Sequence, residues 1–350
     1  LYRLEISAND IAISKSADAA IDTLVETYRN LLNQSPANSA SAKMLQDVSI
    51  ELGTLLLPSG LDKYNKLIVV PDGQLTTIPF EPLILGSGDY LIEQSLVTYV
   101  YSTEQFISGL EVESDEGQVL CIAPVFDGEK VEGRSSVLSA LPYAQEESEF
   151  LAEKFNGTLI SSAQTAPSDL LDNIANYTII HLATHASLNT MEPMMSEIHF
   201  NQGSITNYDI RDLQVQPSLV VLSACNTAQG SVQKGEGIIS LSRGFFEAGV
   251  RTLQSSLWSI NDYSSSQIVK GMYTYMKSGE TTAAALRNAK LDYLASADKL
   301  RSHPYYWAGI IQIGQDRALF DNELMYLYLL IGGFILFVIF IFGYRKLRST

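Results

Sequence analysis

Two short apolar runs stand out along the chain, and each is followed by small and polar residues. The first covers residues 178–186 and reads TIIHLATHA, and the second covers residues 219–227 and reads LVVLSACNT. Both are rich in β-branched residues, and this pattern is typical of strands that are buried on both faces of a parallel sheet. The pattern therefore predicts two core strands that each end in a loop.

Around these two runs, strand patterns alternate with helical spacing, which predicts an α/β fold with a mostly parallel sheet. Further strand patterns cover residues 66–70, 75–78, 96–101, 119–123, 158–161, 252–258 and 308–313. Helical spacing covers residues 143–155, 168–176, 237–248, 262–277 and 281–295. The runs 66–70 and 75–78 flank a turn and predict a hairpin. Residues 187–218 are mostly polar and indicate irregular structure with a short helix near 207–213.

The first 60 residues carry apolar positions at helical spacing in two stretches, residues 18–32 and 42–57. A loop rich in Ser, Asn and Ala separates them, so we expect a pair of amphipathic helices. One pair shows no repeat period of its own. Because the chain starts at Leu1 and not at Met, we also expect an upstream part.

The carboxyl-terminal stretch 324–344 contains no charged residue. As a helix it would reach roughly 30 Å, which is enough to cross a bilayer. The tail 345–350 is basic, so the positive-inside tendency predicts a cytoplasmic tail and an extracytoplasmic folded domain. The alternative is a tail anchor with the domain in the cytoplasm, where a free thiol is better preserved. A second alternative is a buried core helix.

These patterns divide the chain into five segments. We expect a helical segment at 1–60, a further segment at 61–117, a core domain at 118–316, a transmembrane helix at 324–344 and a tail at 345–350.

Composition narrows the possible functions. The 350 residues carry a formal net charge of −16, which argues against binding of a nucleic acid backbone and leaves basic or neutral protein partners open. Two cysteines are too few for a disulfide framework, and Cys121 fits a core strand.

Two kinds of binding site are excluded by spacing. The two cysteines and four histidines lack the spacing of a zinc site, so we expect no metal and no cofactor. Residues 230–235 have half of a P-loop pattern, but Glu236 and Gly237 follow where Lys and Ser or Thr are required.

The reactive residue types lie where the two core strands end. Ligands bind at the carboxyl ends of strands in open α/β sheets, and neighbouring strands lie about 4.8 Å apart. If the two strands are neighbours, His185 and Cys225 share one crevice. A free thiol has a pKa of about 8.5, and an adjacent imidazole activates it by taking its proton. The alternative is that Cys225 is a small core hydrophobe and His185 a packing residue.

The motif HLATHA at 181–186 and the motif LSACNTA at 222–228 resemble the two signature motifs of the CHAT family. This family comprises caspase-like cysteine peptidases that are related to separase and are often found behind TPR repeats. Further landmarks resemble the family in the same order: VPDG at 70–73, IPFEPL at 78–83, LPYA at 141–144, GEG at 235–237, SLW at 256–258 and YWAG at 306–309. The resemblance covers residues 52–314.

The resemblance implies a caspase-like three-layer sandwich with a mostly parallel central sheet. With the other patterns, a helical pair precedes this sandwich and one transmembrane helix follows it. The resemblance implies a cysteine endopeptidase that acts on a protein or peptide substrate, with a TPR-type sensor segment upstream. The uncharged stretch 324–344 adds the expectation that this enzyme is anchored in a membrane. The lipid bilayer would be contacted through the carboxyl-terminal helix.

In the implied mechanism, Cys225 is the nucleophile and His185 is the general base and then the general acid. By similarity to caspase-like peptidases, the backbone N–H groups of Cys225 and Ala186 form the oxyanion hole. His181 is either a supporting residue or part of the core.

Glu236, Arg243 and Asp262 match charged landmarks of the family, as substrate contacts or as ion-paired scaffold. Two alternatives to the active enzyme stay open. One is a catalytically silent CHAT-like scaffold or partner-binding module tethered to the membrane. The other is a latent protease that an upstream sensor opens.

Overall fold

The computed structural model describes residues 2–6, 11–15, 21–36, 38–58, 60–102, 117–128, 138–189, 191–223 and 237–320. The strands in chain order are β1 (Tyr2–Ile6), β2 (Ile11–Lys15), β3 (Lys66–Val69), β4 (Leu96–Tyr99), β5 (Val119–Ile122), β6 (Thr158–Ile160), β7 (Ile179–Leu182), β8 (Ala186–Ser187), β9 (Glu197–Phe200), β10 (Gly203–Thr206), β11 (Leu219–Leu222), β12 (Thr252–Ser256) and β13 (Ile310–Gly314). The α-helices are α1 (Ile21–Leu32), α2 (Ser39–Leu56), α3 (Leu91–Gln94), α4 (Pro142–Phe155), α5 (Pro167–Leu171), α6 (Asn207–Arg211), α7 (Gly237–Ala248), α8 (Asp262–Lys277) and α9 (Thr282–Ser296).

The central sheet has the strand order β3-β4-β13-β12-β11-β7-β5-β6. Every described junction is parallel except that between β12 and β13. The predicted mostly parallel sheet is therefore confirmed. Strands β7 and β11 are neighbours, and Ile179 pairs with Leu219 at one end and Leu182 with Leu222 at the other.

Helices cover both faces of this sheet. Successive side chains of a strand point to opposite faces, so each core strand contributes to both hydrophobic cores. In β11, Leu219 and Val221 join one hydrophobic core, and Val220 and Leu222 join the other. Helices α1, α2, α8 and α9 pack on the first core, and α5, α6 and α7 pack on the second. The result is an α/β domain of three layers, and the helical pair expected before it is present as α1 and α2.

Two expectations about short strands are wrong. Strand β3 pairs in parallel with β4, so it is not half of a hairpin, and Gly73–Thr77 forms a 3₁₀ turn. The hydroxyls of Thr76 and Thr77 donate to backbone oxygens three residues back, which stabilises the turn over an extended strand.

The stretch 187–218 is also more regular than expected, because it holds the antiparallel pair β9 and β10. Their four-residue length is too short for a clear periodic signal. A further difference lies at the start of the chain, where β1 and β2 form an antiparallel hairpin before the helical pair.

The predicted membrane helix at 324–344 lies outside the described residues. Among the helices that the structure does describe, none combines the length and the apolar character needed to cross a bilayer.

Candidate active site

His185 lies between the carboxyl end of β7 and the first residue of β8. Its backbone is held in place because the His199 N–H donates to the His185 carbonyl oxygen at 2.9 Å. The side chain is 4% exposed and tilts against the Phe126 ring, at 5.0 Å between ring centroids. The imidazole is therefore fixed by packing as well as by backbone hydrogen bonds.

The ring orientation of His185 identifies its basic nitrogen. Nε2 lies 2.8 Å from the carbonyl oxygen of Ser139. A carbonyl oxygen only accepts hydrogen bonds, so Nε2 carries the hydrogen in this contact. In the neutral ring, Nδ1 is then the nitrogen that can take up a proton.

Ser223 is the last described residue before Cys225, and it is held from three sides. Its N–H donates to the Leu182 oxygen at 3.0 Å, which places the end of β11 beside the end of β7. Its carbonyl oxygen accepts from Ser265 Oγ at 3.5 Å, and its own hydroxyl donates to Glu147. Two predicted site residues, Cys225 and Glu236, lie outside the described residues.

The Ala186 N–H is directed away from β9. In the antiparallel pair of β8 and β9, Ala186 lies opposite Ile198. Because His199 donates to His185 one step earlier, Ala186 and Ile198 form the non-hydrogen-bonded type of pair. Their N–H groups therefore do not bond to each other, and the Ala186 donor is not used by this sheet.

A buried carboxylate, Glu147 of α4, lies beneath the two strand ends. It is 1% exposed, and its Oε1 lies 2.8 Å from His181 Nε2. His181 is fully buried, and its Nδ1 lies 3.4 Å from the Tyr273 hydroxyl. His181 is therefore a group of the strand interior and does not face the crevice.

Sequence reasoning missed Glu147, although a signal exists. The buried positions of α4 are Ala144, Glu147, Ser148 and Leu151, which is the spacing of one helix face. An acidic residue on the apolar face of a helix is unusual, because a buried charge requires partners. Glu147 finds them in His181 and Ser223.

Asp262, the first residue of α8, is close enough to His185 for their charges to interact. Partial burial raises the pKa of Asp262, the charge of His185 opposes this rise, and the charge of Glu147 adds to it. The side chain remains partly exposed at the rim.

Cys121 lies in β5 and is a poor nucleophile. Burial and the nearby charge of Glu147 raise the pKa of its thiol to about 12. The thiol is therefore protonated at neutral pH, and Cys121 behaves as a core residue, as the sequence predicts.

Arg243 is not brought to His185. Its guanidinium lies 5.9 Å from the centroid of the Tyr101 ring, just after the carboxyl end of β4. Strand β4 runs opposite to β7, because β13 is parallel to β4 and antiparallel to β12. The carboxyl end of β4 therefore lies at the opposite end of the sheet's strands from the carboxyl end of β7. Arg243 lies there, far from His185, in a cleft that Arg251 also lines.

In the described part of the chain, no group of three or more His, Cys, Asp or Glu side chains is arranged to hold a metal ion.

Together, the sheet order and the paired strand ends define a caspase-like α/β domain. The CHAT domain profile matches residues 27–315, and the chain belongs to the CHAT family. The resemblance seen in the sequence motifs is confirmed.

Two relatives are tetratricopeptide repeat proteins by name. Tetratricopeptide repeat protein 28 of Homo sapiens is 25% identical over 319 residues, which covers 75% of this chain and 12% of that protein. The Mus musculus protein of the same name is 33% identical over 112 residues, which covers 32% of this chain and 4% of that protein. The chain thus spans a small part of the curated relatives that it matches. The expected relationship to TPR proteins is confirmed.

Solved structures of similar fold include separase. Separase in the Saccharomyces cerevisiae separase–securin complex is 12% identical with a TM-score of 0.50, and the match covers 87% of this chain and 20% of that one. The Arg-specific cysteine proteinase gingipain R is 12% identical with a TM-score of 0.47, covering 86% of this chain and 76% of that one. At this level of identity, the separase match establishes the fold alone.

Proposed function

We propose that this CHAT domain is a cysteine endopeptidase in which Cys225 attacks a peptide carbonyl and His185 transfers the proton. The observation that carries the proposal is the contact between His185 Nε2 and the Ser139 oxygen. It leaves Nδ1 as the basic nitrogen, at a strand end that lies beside the strand leading to Cys225.

The proposed reaction begins when Nδ1 takes the proton from the Cys225 thiol. The resulting imidazolium is stabilised by the Ser139 carbonyl, which accepts from Nε2–H, and by the charge of Asp262. The thiolate attacks the peptide carbonyl carbon, and its oxygen becomes an oxyanion. The N–H groups of Ala186 and Cys225 donate to this oxyanion.

The second half of the reaction releases the products. His185 donates its proton from Nδ1 to the leaving amine, and the C–N bond breaks to leave a thioester on Cys225. A water molecule, deprotonated by the same nitrogen, attacks the thioester carbonyl and frees the carboxyl product and the thiol. Arg243 lies at the opposite end of the sheet's strands, so it has no part in the proposed steps.

The function is tested with the Cys225→Ala and His185→Ala variants. Each should lower cleavage by about 10³-fold or more, because either loss removes the nucleophile or its base. The whole chain is incubated with a cell lysate and the new protein termini are sequenced.

Cys121→Ala is the matched control, since it removes the chain's other thiol without touching the dyad. This variant should cleave like the wild type, and circular dichroism checks that each variant is folded. Cleavage retained by the Cys225→Ala protein would end the peptidase proposal.

The burial of His185 favours a second candidate, a closed scaffold or a latent protease. At 4% exposure, the imidazole offers little surface to a substrate. Alkylation with iodoacetamide separates the candidates, because an activated thiolate reacts quickly and a sealed thiol slowly. A thiol that is slow alone and fast when an upstream TPR segment is added identifies the latent form.

We also propose that residues 324–344 anchor the domain in a bilayer, with the basic tail 345–350 on the cytoplasmic side. The lack of charge over this stretch supports the proposal. Extraction of membranes with alkaline carbonate should leave the chain in the pellet. Protease added on the cytoplasmic side of the membrane should leave the domain intact. Digestion of the domain would indicate instead a cytoplasmic, tail-anchored domain.

A further inference from the structure

We propose that Glu147 is a positioning residue for the Cys225–His185 dyad: it holds the ends of β7 and β11 in place through His181 and Ser223, and it places a buried negative charge beside these strand ends. This inference rests on the proposed peptidase function. It assigns a role to a residue that takes no direct part in the reaction described above.

The geometry brings three elements to one carboxylate oxygen. Glu147 on α4 approaches His181 of β7 at 2.8 Å, and Ser223 at the end of β11 donates its hydroxyl to the same Oε1. Glu147, His181 and Ser223 are 1%, 0% and 8% exposed. Water therefore does not compete for these contacts, and the loss of the carboxylate leaves the buried Ser223 hydroxyl without its acceptor.

Two members of this cluster lie close in sequence to the proposed catalytic residues. Ser223 precedes Cys225 by two residues, and His181 precedes His185 by four. The backbone of Ser223 is already fixed to Leu182 and Ser265, so Glu147 restrains its remaining free group, the hydroxyl. We call the contacts of Glu147 with His181 and Ser223 the clamp. A shift of about 1 Å in a reacting group can cost about 100-fold in rate, so loss of the clamp should slow the reaction of Cys225.

The charge of Glu147 reaches groups on β5 and α8 as well as His181 of β7, which it contacts. Burial is the main cause of the raised pKa values of Cys121 on β5 and of Asp262 and Tyr273 on α8, and the charge of Glu147 adds to each rise. Asp262 in turn interacts with His185. A negative charge near a titrating group opposes the loss of its proton, so the removal of the Glu147 charge should move formation of the Cys225 thiolate to lower pH.

The test compares three single variants in the full chain. Glu147→Gln keeps the shape and an acceptor oxygen but removes the charge, and Ser223→Ala removes one hydroxyl but keeps the charge. Glu146→Gln is the matched control, because Glu146 is the next residue of α4, is exposed and pairs with Lys270 on the surface. Iodoacetamide alkylation of Cys225 is followed by mass spectrometry from pH 4 to 10, and Cys121 in the same spectra reports whether the core stays closed.

We expect Glu147→Gln to slow the plateau rate of alkylation about 10-fold and to move its pH midpoint lower by about half a pH unit or more. Ser223→Ala should slow the rate to a similar extent and leave the midpoint unchanged. Glu146→Gln should match the wild type in both. If one of the first two variants fails to fold, the other still tests the clamp.

Wild-type rates and midpoints in Glu147→Gln and Ser223→Ala would overturn the inference. A slower rate with an unchanged midpoint in Glu147→Gln would also overturn it, because general loosening would explain the result. Lysate cleavage separates the two proposals. Cysteine-dependent cleavage that is equal in wild type and Glu147→Gln refutes only the positioning role, whereas the expected alkylation pattern without any wild-type cleavage refutes only the peptidase.

Discussion

The four histidines of the chain differ in what their ring nitrogens contact. His185 donates to a backbone carbonyl, His181 lies between Glu147 and Tyr273, and His199 lies 2.7 Å from the Ser187 hydroxyl. His303 accepts from the Tyr305 N–H through Nδ1. The same residue type thus has four local roles. Position at a strand end selects His185 in the sequence, but the protonated nitrogen is known only from the contact.

His303 should make the stability of the chain depend on pH. Burial lowers its pKa from the usual 6.5 to about 4, and protonation of Nδ1 would break the bond from Tyr305. Between these two values the unfolded chain binds more protons, so the stabilisation is full above pH 6.5 and is lost as the pH falls toward 4. The full pKa shift corresponds to roughly 3 kcal/mol, and solvent screening of this partly buried ring makes the loss smaller.

Chemical denaturation of wild type and His303→Asn at pH 7 and pH 4.5 measures this contribution. Asn keeps an acceptor for the turn but does not titrate, so the variant should lose less stability on acidification than the wild type. Equal losses in the two proteins would show that His303 does not titrate in this range.

Among the elements, α2 docks unusually close to the chain beneath it. Ser49 donates its hydroxyl to the Pro82 oxygen at 2.6 Å, and Gly53 lies one helical turn further along. A Cβ at Gly53 would stand 2.5 Å from the Ile84 oxygen. Two small residues on one helix face therefore allow the helix to touch the backbone at residues 82–84.

Gly53→Ala should destabilise the protein, although alanine is normally the better helix former. The propensity gain is about 1 kcal/mol, but the backbone at Ile84 must shift to admit the methyl group. We expect a net loss of about 1–3 kcal/mol in the free energy of unfolding.

Thr54→Ala, at the exposed neighbouring position, is the control and should be neutral or slightly stabilising. Denaturant unfolding measures both variants. A more stable Gly53→Ala protein would mean that α2 is not held as closely as described.

In the molecule as a whole, the helical pair and the sheet share one hydrophobic core. Val25 and Tyr28 of α1 and Leu52 of α2 belong to the same buried cluster as Ile268 of α8 and Val221 of β11. A core that spans these elements unfolds as a unit, because loss of one layer exposes the apolar face of the next.

Tyr28→Ala should therefore lower the stability of the entire described domain. Removal of this fully buried ring should cost about 3–5 kcal/mol, and thermal unfolding should keep one transition at a lower temperature. Glu26→Ala, an exposed change on the same helix, should stay within about 0.5 kcal/mol of the wild type. A second transition that Tyr28→Ala leaves unmoved would show that the helical pair folds separately.

Local patterns in the sequence were enough to predict the strands β7 and β11, the helices α1, α2, α8 and α9, and the residues His185 and Cys225 as a candidate dyad. Burial on both faces makes core strands uniformly apolar, and amphipathic helices repeat every 3.6 residues, so both signals lie in neighbouring residues. Short elements such as β9 and β10, and the 3₁₀ turn at Gly73–Thr77, carry too few residues for such a signal.

Only the tertiary structure decided what lies beneath the candidate site and what lies away from it. It placed Glu147 under the ends of β7 and β11, directed Nε2 of His185 toward Ser139, put Arg243 at the opposite end of the sheet's strands and joined α1 and α2 to the sheet's core. These arrangements depend on contacts between residues far apart in the chain. The packing of whole layers sets such contacts, and no local pattern records them.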